Sequence, residues 1–195
     1  GVLLISSDLI NWTASQISTG NLSKPAFGNG TLLISGTNGR VYTSTNGGGS
    51  WTTTQLYHSD GTRRGIGAPS YLNNKFIGHF WSGHTWTSSD GVTWEITGLD
   101  YVSGIRVFIY RDSKYIAAGG AIHTSTDAET WTTINPGFQG GLEEIVYGNG
   151  KYVVVGCIYS LGTTFCSGDM GSSTDLTTWT RHTVPISDTN TSSDY

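Results

Sequence analysis

Ser6-Ser7-Asp8…Trp12, Ser44-Thr45-Asn46…Trp51, Ser88-Ser89-Asp90…Trp94, Ser125-Thr126-Asp127…Trp131 and Ser173-Thr174-Asp175…Trp179 are five copies of one phrase. Each reads Ser, then Ser or Thr, then Asp or Asn, then Trp four or five residues on. Five of the seven tryptophans stand in it. The acid positions are 38, 44, 37 and 48 residues apart, and recurrence at about 20–50 residues marks a repeat architecture.

The second copy shows what one repeat contains. Pro25-Ala26-Phe27 reads as a short strand, and Gly28-Asn29-Gly30 as a hairpin turn, because Asn and Gly tolerate positive φ. Thr31–Ser35 returns, Gly36-Thr37-Asn38-Gly39 turns again, Val41-Tyr42-Thr43 enters the phrase and Trp51–Thr54 leaves it. Four turn-linked strands, A to D, are antiparallel. The A–B turn recurs behind an aromatic at Tyr71…Phe76, Tyr110…Tyr115 and Tyr147…Tyr152. Four-stranded units every forty residues or so predict an all-β chain, a β-propeller of antiparallel blades. A β-sandwich is the alternative, but a sandwich does not need identical turns at fixed phase. We expect a blade remainder over 1–20, full blades near 21–56, 57–98, 99–135 and 136–184, and a tail over 185–195. The remainder supplies strands C and D only. Four full blades plus this part make either a five-bladed ring or a fragment of a larger propeller.

Two stretches break the period. One lies between strands D and A, residues 55–70; the other lies between B and C, residues 156–169. In an up-and-down blade both connections emerge on the same face, and the A–B and C–D turns on the other. Insertions on a repeat scaffold gather on the binding face.

Composition narrows the function. Charged residues are 12%, aromatics 12% and the net charge −4. Disordered chains are poor in aromatics, and a negative chain is a poor partner for a nucleic-acid backbone. No apolar run approaches a membrane span. The chain opens on Gly1, as a processed or excised chain would.

The fivefold phrase resembles the Asp-box, or BNR repeat, of sialidase-like β-propellers. The family form carries Gly two residues after the acid, matched here by Gly48. In the family the boxes lie away from the active site. Asp8, Asn46, Asp90, Asp127 and Asp175, with Trp12, Trp51, Trp94, Trp131 and Trp179, are therefore read as structural: turn acids accept backbone N–H groups and the tryptophans bury their rings. Sialidases use three arginines, a Tyr–Glu pair, an acid/base Asp and an Arg-Ile-Pro motif. None of Arg40, Arg63, Arg64, Arg106, Arg111 and Arg181 stands before Ile-Pro, and Glu143-Glu144 has no arginine triad beside it in sequence. We assign no catalytic residue, no metal and no cofactor. A sialidase-type glycoside hydrolase is kept as the alternative function.

Binding candidates sit in the D–A stretch, at Tyr57, His58, Arg63 and Arg64, and in the B–C turn, at Trp81 and His84. The first set reads as a loop for an acidic sugar or a protein, or as a solvated loop. Trp81 lies outside the repeat's phase, and either stacks on a sugar or packs over the central channel. Tyr101 and Phe138 fall in other D–A loops, and Tyr159 in the second insertion. Cys157 and Cys166 bracket that insertion; they form a disulfide outside the cytosol or remain two thiols. Asn11, Asn21, Asn29 and Asn190 stand in Asn-x-Ser/Thr matches, as a chain rich in these residues produces by composition.

The A–B hairpin phrase, at its fullest Tyr147-Gly-Asn-Gly-Lys-Tyr152-Val-Val-Val-Gly156, and Ser-Thr-Asp…Trp-Thr are similar to repeats of bacteriophage tail and fibre proteins and of exported bacterial propellers. The resemblance implies an extracellular or virion protein. In it this chain would be a non-enzymatic binding or structural module within a larger oligomeric assembly. Its partner would be a surface glycan or a protein neighbour, with no nucleic acid and no membrane insertion.

Overall fold

Every A–B turn is a two-residue hairpin with both central residues at positive φ: Asn29-Gly30, Asn73-Asn74, Asp112-Ser113 and Asn149-Gly150. Such turns match the right-handed twist of the strands they join. In the computed structural model, which describes residues 1–81, 83–97, 104–137, 141–159 and 166–183, they open four four-stranded sheets. Blade 1 holds β3 (Ala26–Gly28), β4 (Thr31–Ser35), β5 (Arg40–Ser44) and β6 (Thr52–Gln55). Blade 2 holds β7 (Ser70–Leu72), β8 (Lys75–His79), β9 (Thr85–Ser88) and β10 (Glu95–Thr97). Blade 3 holds β11 (Val107–Arg111), β12 (Lys114–Ala118), β13 (Ile122–Ser125) and β14 (Thr132–Ile134). Blade 4 holds β15 (Gly141–Gly148), β16 (Lys151–Tyr159), β17 (Cys166–Ser173) and β18 (Thr180–Thr183). Before them, β1 (Val2–Ile5) and β2 (Thr13–Gln16) form a two-stranded part-blade. All pairings are antiparallel and sequential, as meanders. The A strands β3, β7, β11 and β15 touch in succession, so they line the axis and the D strands lie outermost. The fold is a β-propeller of four full blades and a part.

Alternation of period two is what joins the blades. Tyr115 and Ala117 of β12 face blade 2, whereas Ile116 and Ala118 face blade 4. On β8, Phe76 faces blade 1 and Ile77 faces blade 3. Strands buried on both faces therefore read as apolar runs, and the core is three slabs between successive blades. The recurring Ser-x-Asp…Trp turns seal each slab from one side. Trp94, Trp131 and Trp179 each pack against the blade before their own. Trp12 has no described blade on that side and is 54% exposed.

The box turn is built alike in all five copies. In blade 4, the Ser173 hydroxyl donates to Asp175 Oδ1 (3.0 Å) and accepts from Leu176 N–H (2.9 Å). Asp175 Oδ1 accepts from Thr177 and Thr178 N–H, both 2.8 Å. Equivalent bonds form around Asp8, Asp90 and Asp127, and around Asn46 with its amide oxygen. The N–H donors hold the carboxylates below their ordinary range, Asp90 at about 2 through Thr93 and Val92 and Asp127 at about 2 through Thr130 and Glu129. A left-handed residue follows the Asp or Asn directly in all five copies: Leu9, Gly47, Gly91, Ala128 and Leu176. The second turn, one residue longer, adds Gly48. A left-handed non-glycine residue costs roughly 1–2 kcal/mol. Ala128 and Leu176 offset this by burying their side chains in the slab behind them.

The second insertion lengthens the strands that flank it. Over 156–159 and 166–169 it is built as strand, and the B–C ladder runs on through Gly156↔Asp169 and Ile158↔Ser167 to Tyr159↔Cys166. The register sets Cys157 opposite Gly168. The side chains of both cysteines, and so their pairing, lie outside the described residues.

Two buried histidines carry a pH cost. His79 Nδ1 and His123 Nε2 have no hydrogen-bond partner among the described residues, and burial lowers both imidazoles from 6.5 to about 4. The unfolded chain binds protons first, so stability is complete above pH 6.5 and falls as pH drops towards 4. The slope is about 1.4 kcal/mol per pH unit for each group. Urea midpoints should fall between pH 7 and pH 4.5, less steeply in His79→Leu; an identical slope in that variant counts against the assignment. Ser173→Ala strands the buried Leu176 N–H and should cost about 1–3 kcal/mol in urea unfolding. Ser6→Ala, in the exposed first copy, should cost clearly less.

Candidate functional site

The connection from β6 to β7 is a folded loop pinned at both ends. Leu56 and Ile66 are buried in the slab between blades 1 and 2. Leu56 N–H donates to Gly39 O (2.8 Å). The second half zips onto the end of β8: Gly67 N–H donates to His79 O (2.8 Å), Trp81 N–H to Gly65 O (2.9 Å), and Ile66 bridges Phe80. Two glycines allow this close approach. A Cβ at Gly67 would lie 2.1 Å from the His79 ring, and one at Gly65 2.8 Å from Trp81. The D–A loop and the B–C turn 80–84 therefore share one face, as the spacing of the repeats requires.

The loop tip is a turn over 58–62, closed by His58 N–H to Thr62 O (2.9 Å) and Gly61 N–H to His58 O (2.8 Å). Asp60 organises it. Its Oδ1 accepts from the Thr62 N–H (2.9 Å) and hydroxyl (2.5 Å), and its Oδ2 from Arg64 Nη2 (2.6 Å). The Thr62 hydroxyl first, then the Arg64 guanidinium, hold this exposed carboxyl well below the ordinary carboxylate range. A latch joins the tip to the B–C turn. His58 Nε2 meets His84 Nδ1 at 2.8 Å, His58 Nδ1 faces Asp60 Oδ1 at 3.2 Å, and Ser59 Oγ faces His84 Nε2 at 3.4 Å. One set of tautomers satisfies all three: Ser59 donates to His84, His84 to His58, and His58 to Asp60. The His58 ring also stands edge-on to Phe80, 5.6 Å between centroids.

The structure thus brings Tyr57, His58, Arg63, Arg64, Trp81 and His84 to one surface, in different states. His58 and His84 are half-buried and used by the latch. Arg64 is engaged by Asp60. Tyr57 and Arg63 are exposed. Trp81 is 70% exposed and rests on Gly65. Tyr101, Phe138 and the Tyr159 side chain lie outside the described residues. The other arginines are scattered. Arg106 pairs with Glu143 (3.1 Å), and Arg111 sits 4.3 Å over the Tyr147 ring at the opposite, A–B face. Among the described residues no group of three or more His, Cys, Asp or Glu could hold a metal ion.

Sequence reasoning missed Gly65-Ile66-Gly67-Ala68 and Asn21-Leu22-Ser23. These segments face each other across a cleft between blades 1 and 2, with Trp81 at its edge. The alternating glycines were the available signal, since glycine in a strand-like run marks close approach.

No protein-family model and no curated protein matches the chain. Solved structures do. YCF48 bound to D1 peptide has a TM-score of 0.63 at 16% identity, over 88% of this chain and 56% of that one. The GH74 enzyme of Niastella koreensis gives 0.58 at 24% identity, over 92% and 28%. The WD40 β-propeller domain of Doa1 gives 0.55 at 13%, over 94% and 76%. The chain spans about half of the YCF48 structure and over a quarter of the GH74 enzyme. At these identities the likeness is one of fold, that of the β-propellers.

If the latch holds the loop closed, His84→Ala should expose the bonds after Arg63 and Arg64 to trypsin. Cleavage there, followed by mass spectrometry, should accelerate roughly tenfold, the effect of about one lost hydrogen bond on local opening. An unchanged rate means the latch is not what holds the loop.

Proposed function

We propose that this propeller is a non-enzymatic binding and structural module of a larger extracellular or virion protein. In this reading it is a phage tail or host-recognition component whose repeats are degenerate Asp-boxes, and it engages a surface glycan or a protein neighbour. The observation that carries the reading is the segregation of irregularity. Both departures from the repeat lie on one face, and there the D–A loop is a pinned, latched structure bearing exposed Tyr57 and Arg63, beside the exposed Trp81 of the B–C turn. Order in a long surface loop costs conformational entropy and is usually kept for function. A protein neighbour is within reach of the scaffold, since YCF48, a propeller, holds a peptide. Binding is favoured over sialoside hydrolysis because Arg64, Arg106 and Arg111 sit in separate contacts and do not converge on one anion.

The test is binding of the labelled chain to arrayed surface glycans and to immobilised protein neighbours from the same assembly. The double variant Tyr57→Ala, Arg63→Ala should bind at least tenfold more weakly to its target, while Lys114→Ala, at the A–B turn face, should bind like the parent. Equal binding by all three sinks the assignment of the face.

A further inference from the structure

The cleft between blades 1 and 2 has a volume of about 470 Å³, within the roughly 300–1,000 Å³ of small-molecule sites. It opens on the insertion face. One side is the backbone of Gly65–Ala68, and the other is formed by Leu22-Ser23 and Ser35–Thr37, joined by the Leu22↔Gly36 bridge. The Ser35 hydroxyl ties the two sides, donating to Gly67 O (2.8 Å) across the cleft while its oxygen lies 2.7 Å from Ser23 Oγ on its own side. The cleft is therefore preformed.

Trp81 supplies the flat element. Its ring lies so close to Gly65 that a Cβ there would stand 2.8 Å from Cε3 and 3.0 Å from Cδ2. One part of the ring is thus supported by backbone, while 70% of the residue remains open. A large aromatic held rigidly against backbone and otherwise unburied offers contact area at small entropic cost. Around it the exposed Asn21 amide and Thr37 hydroxyl supply donors and acceptors.

Charge selects among ligands. None of the residues lining the cleft is charged. Two cations adjoin it along the chain: Arg64, beside Gly65, is held by Asp60 at 2.6 Å, and Lys24, beside Ser23, lines a different hollow with Tyr110 and Glu144. A carboxylated sugar would meet no counter-charge in the cleft. A neutral pyranose would stack its C–H face on the ring and place its hydroxyls on Asn21 and Thr37. We infer that this cleft binds an uncharged saccharide stacked on Trp81. The inference rests on the reading of the insertion face as the binding face, and deepens it by naming site and ligand class.

The experiment is calorimetric titration of the full chain with neutral oligosaccharides (hexose and N-acetylhexosamine types) and with sialylated and uronic-acid ones. It is repeated on Trp81→Ala, Trp81→Phe and Gly65→Val, with a thermal melt of each. The expected result is binding of at least one neutral class, weakened at least tenfold in Trp81→Ala and Gly65→Val, and partly restored in Trp81→Phe. Binding of acidic sugars alone, or neutral binding untouched by Trp81→Ala, overturns the inference and leaves the binding-face reading standing. Retention of a protein neighbour, lost in Tyr57→Ala, Arg63→Ala but with no sugar bound, does the same. Absence of any ligand from both sugars and protein neighbours overturns both.

Discussion

In each of the five turns, one serine hydroxyl and one side-chain oxygen of Asp or Asn take up the backbone N–H groups that a sharp turn leaves without partners. The bonds are short, 2.7–2.9 Å for the N–H donors that reach the acid oxygen. They fix the residue after the acid in a left-handed conformation, and in blades 2 to 4 the following Trp turns towards the preceding blade. The rest of the molecule depends on this. The slabs between blades are assembled from alternating strand residues, but the turns close them at the outer margin. In two copies even the indole is used, Trp51 donating to Gly48 O and Trp179 to Leu176 O.

The unperturbed face is therefore occupied with holding the repeat together, and the opposite face is released for other uses. There the chain departs from its period, and the two departures solve the problem of extra backbone differently. Residues 56–69 satisfy their polar groups against the end of β8 and within their own tip. The extra residues of blade 4 lengthen β16 and β17 and satisfy theirs in the ladder.

Much of this was legible in the sequence because it rests on local rules. The recurring Asn-Gly and Asn-Asn turns have only one comfortable hairpin geometry, and the Ser-x-Asp phrase has one economical way to use its oxygens. The shared face of both insertions followed from counting alone. Features decided by tertiary approach were not legible. Nothing local to Trp81 says that it lies on Gly65, and the use of Trp86 in the core depends on Gly78 leaving room for its ring. The left-handed residue after the acid was not legible either, because Ala128 and Leu176 occupy it without glycine. The histidine latch joins residues 26 apart in the chain and has no sequence signature. Nor has the cleft, since its two sides come from different blades and its only hint is a pair of glycines.

The one-sided seal gives assembly a direction. Each slab between blades 1 and 4 is closed by the tryptophan of the later blade, never by that of the earlier one. A blade leaving the ribosome has its forward face uncovered until the next repeat, some forty residues long, has been made. At about 5–20 residues per second that is a wait of roughly 2–8 s. Propeller growth is thus vectorial, each new blade docking on a finished neighbour.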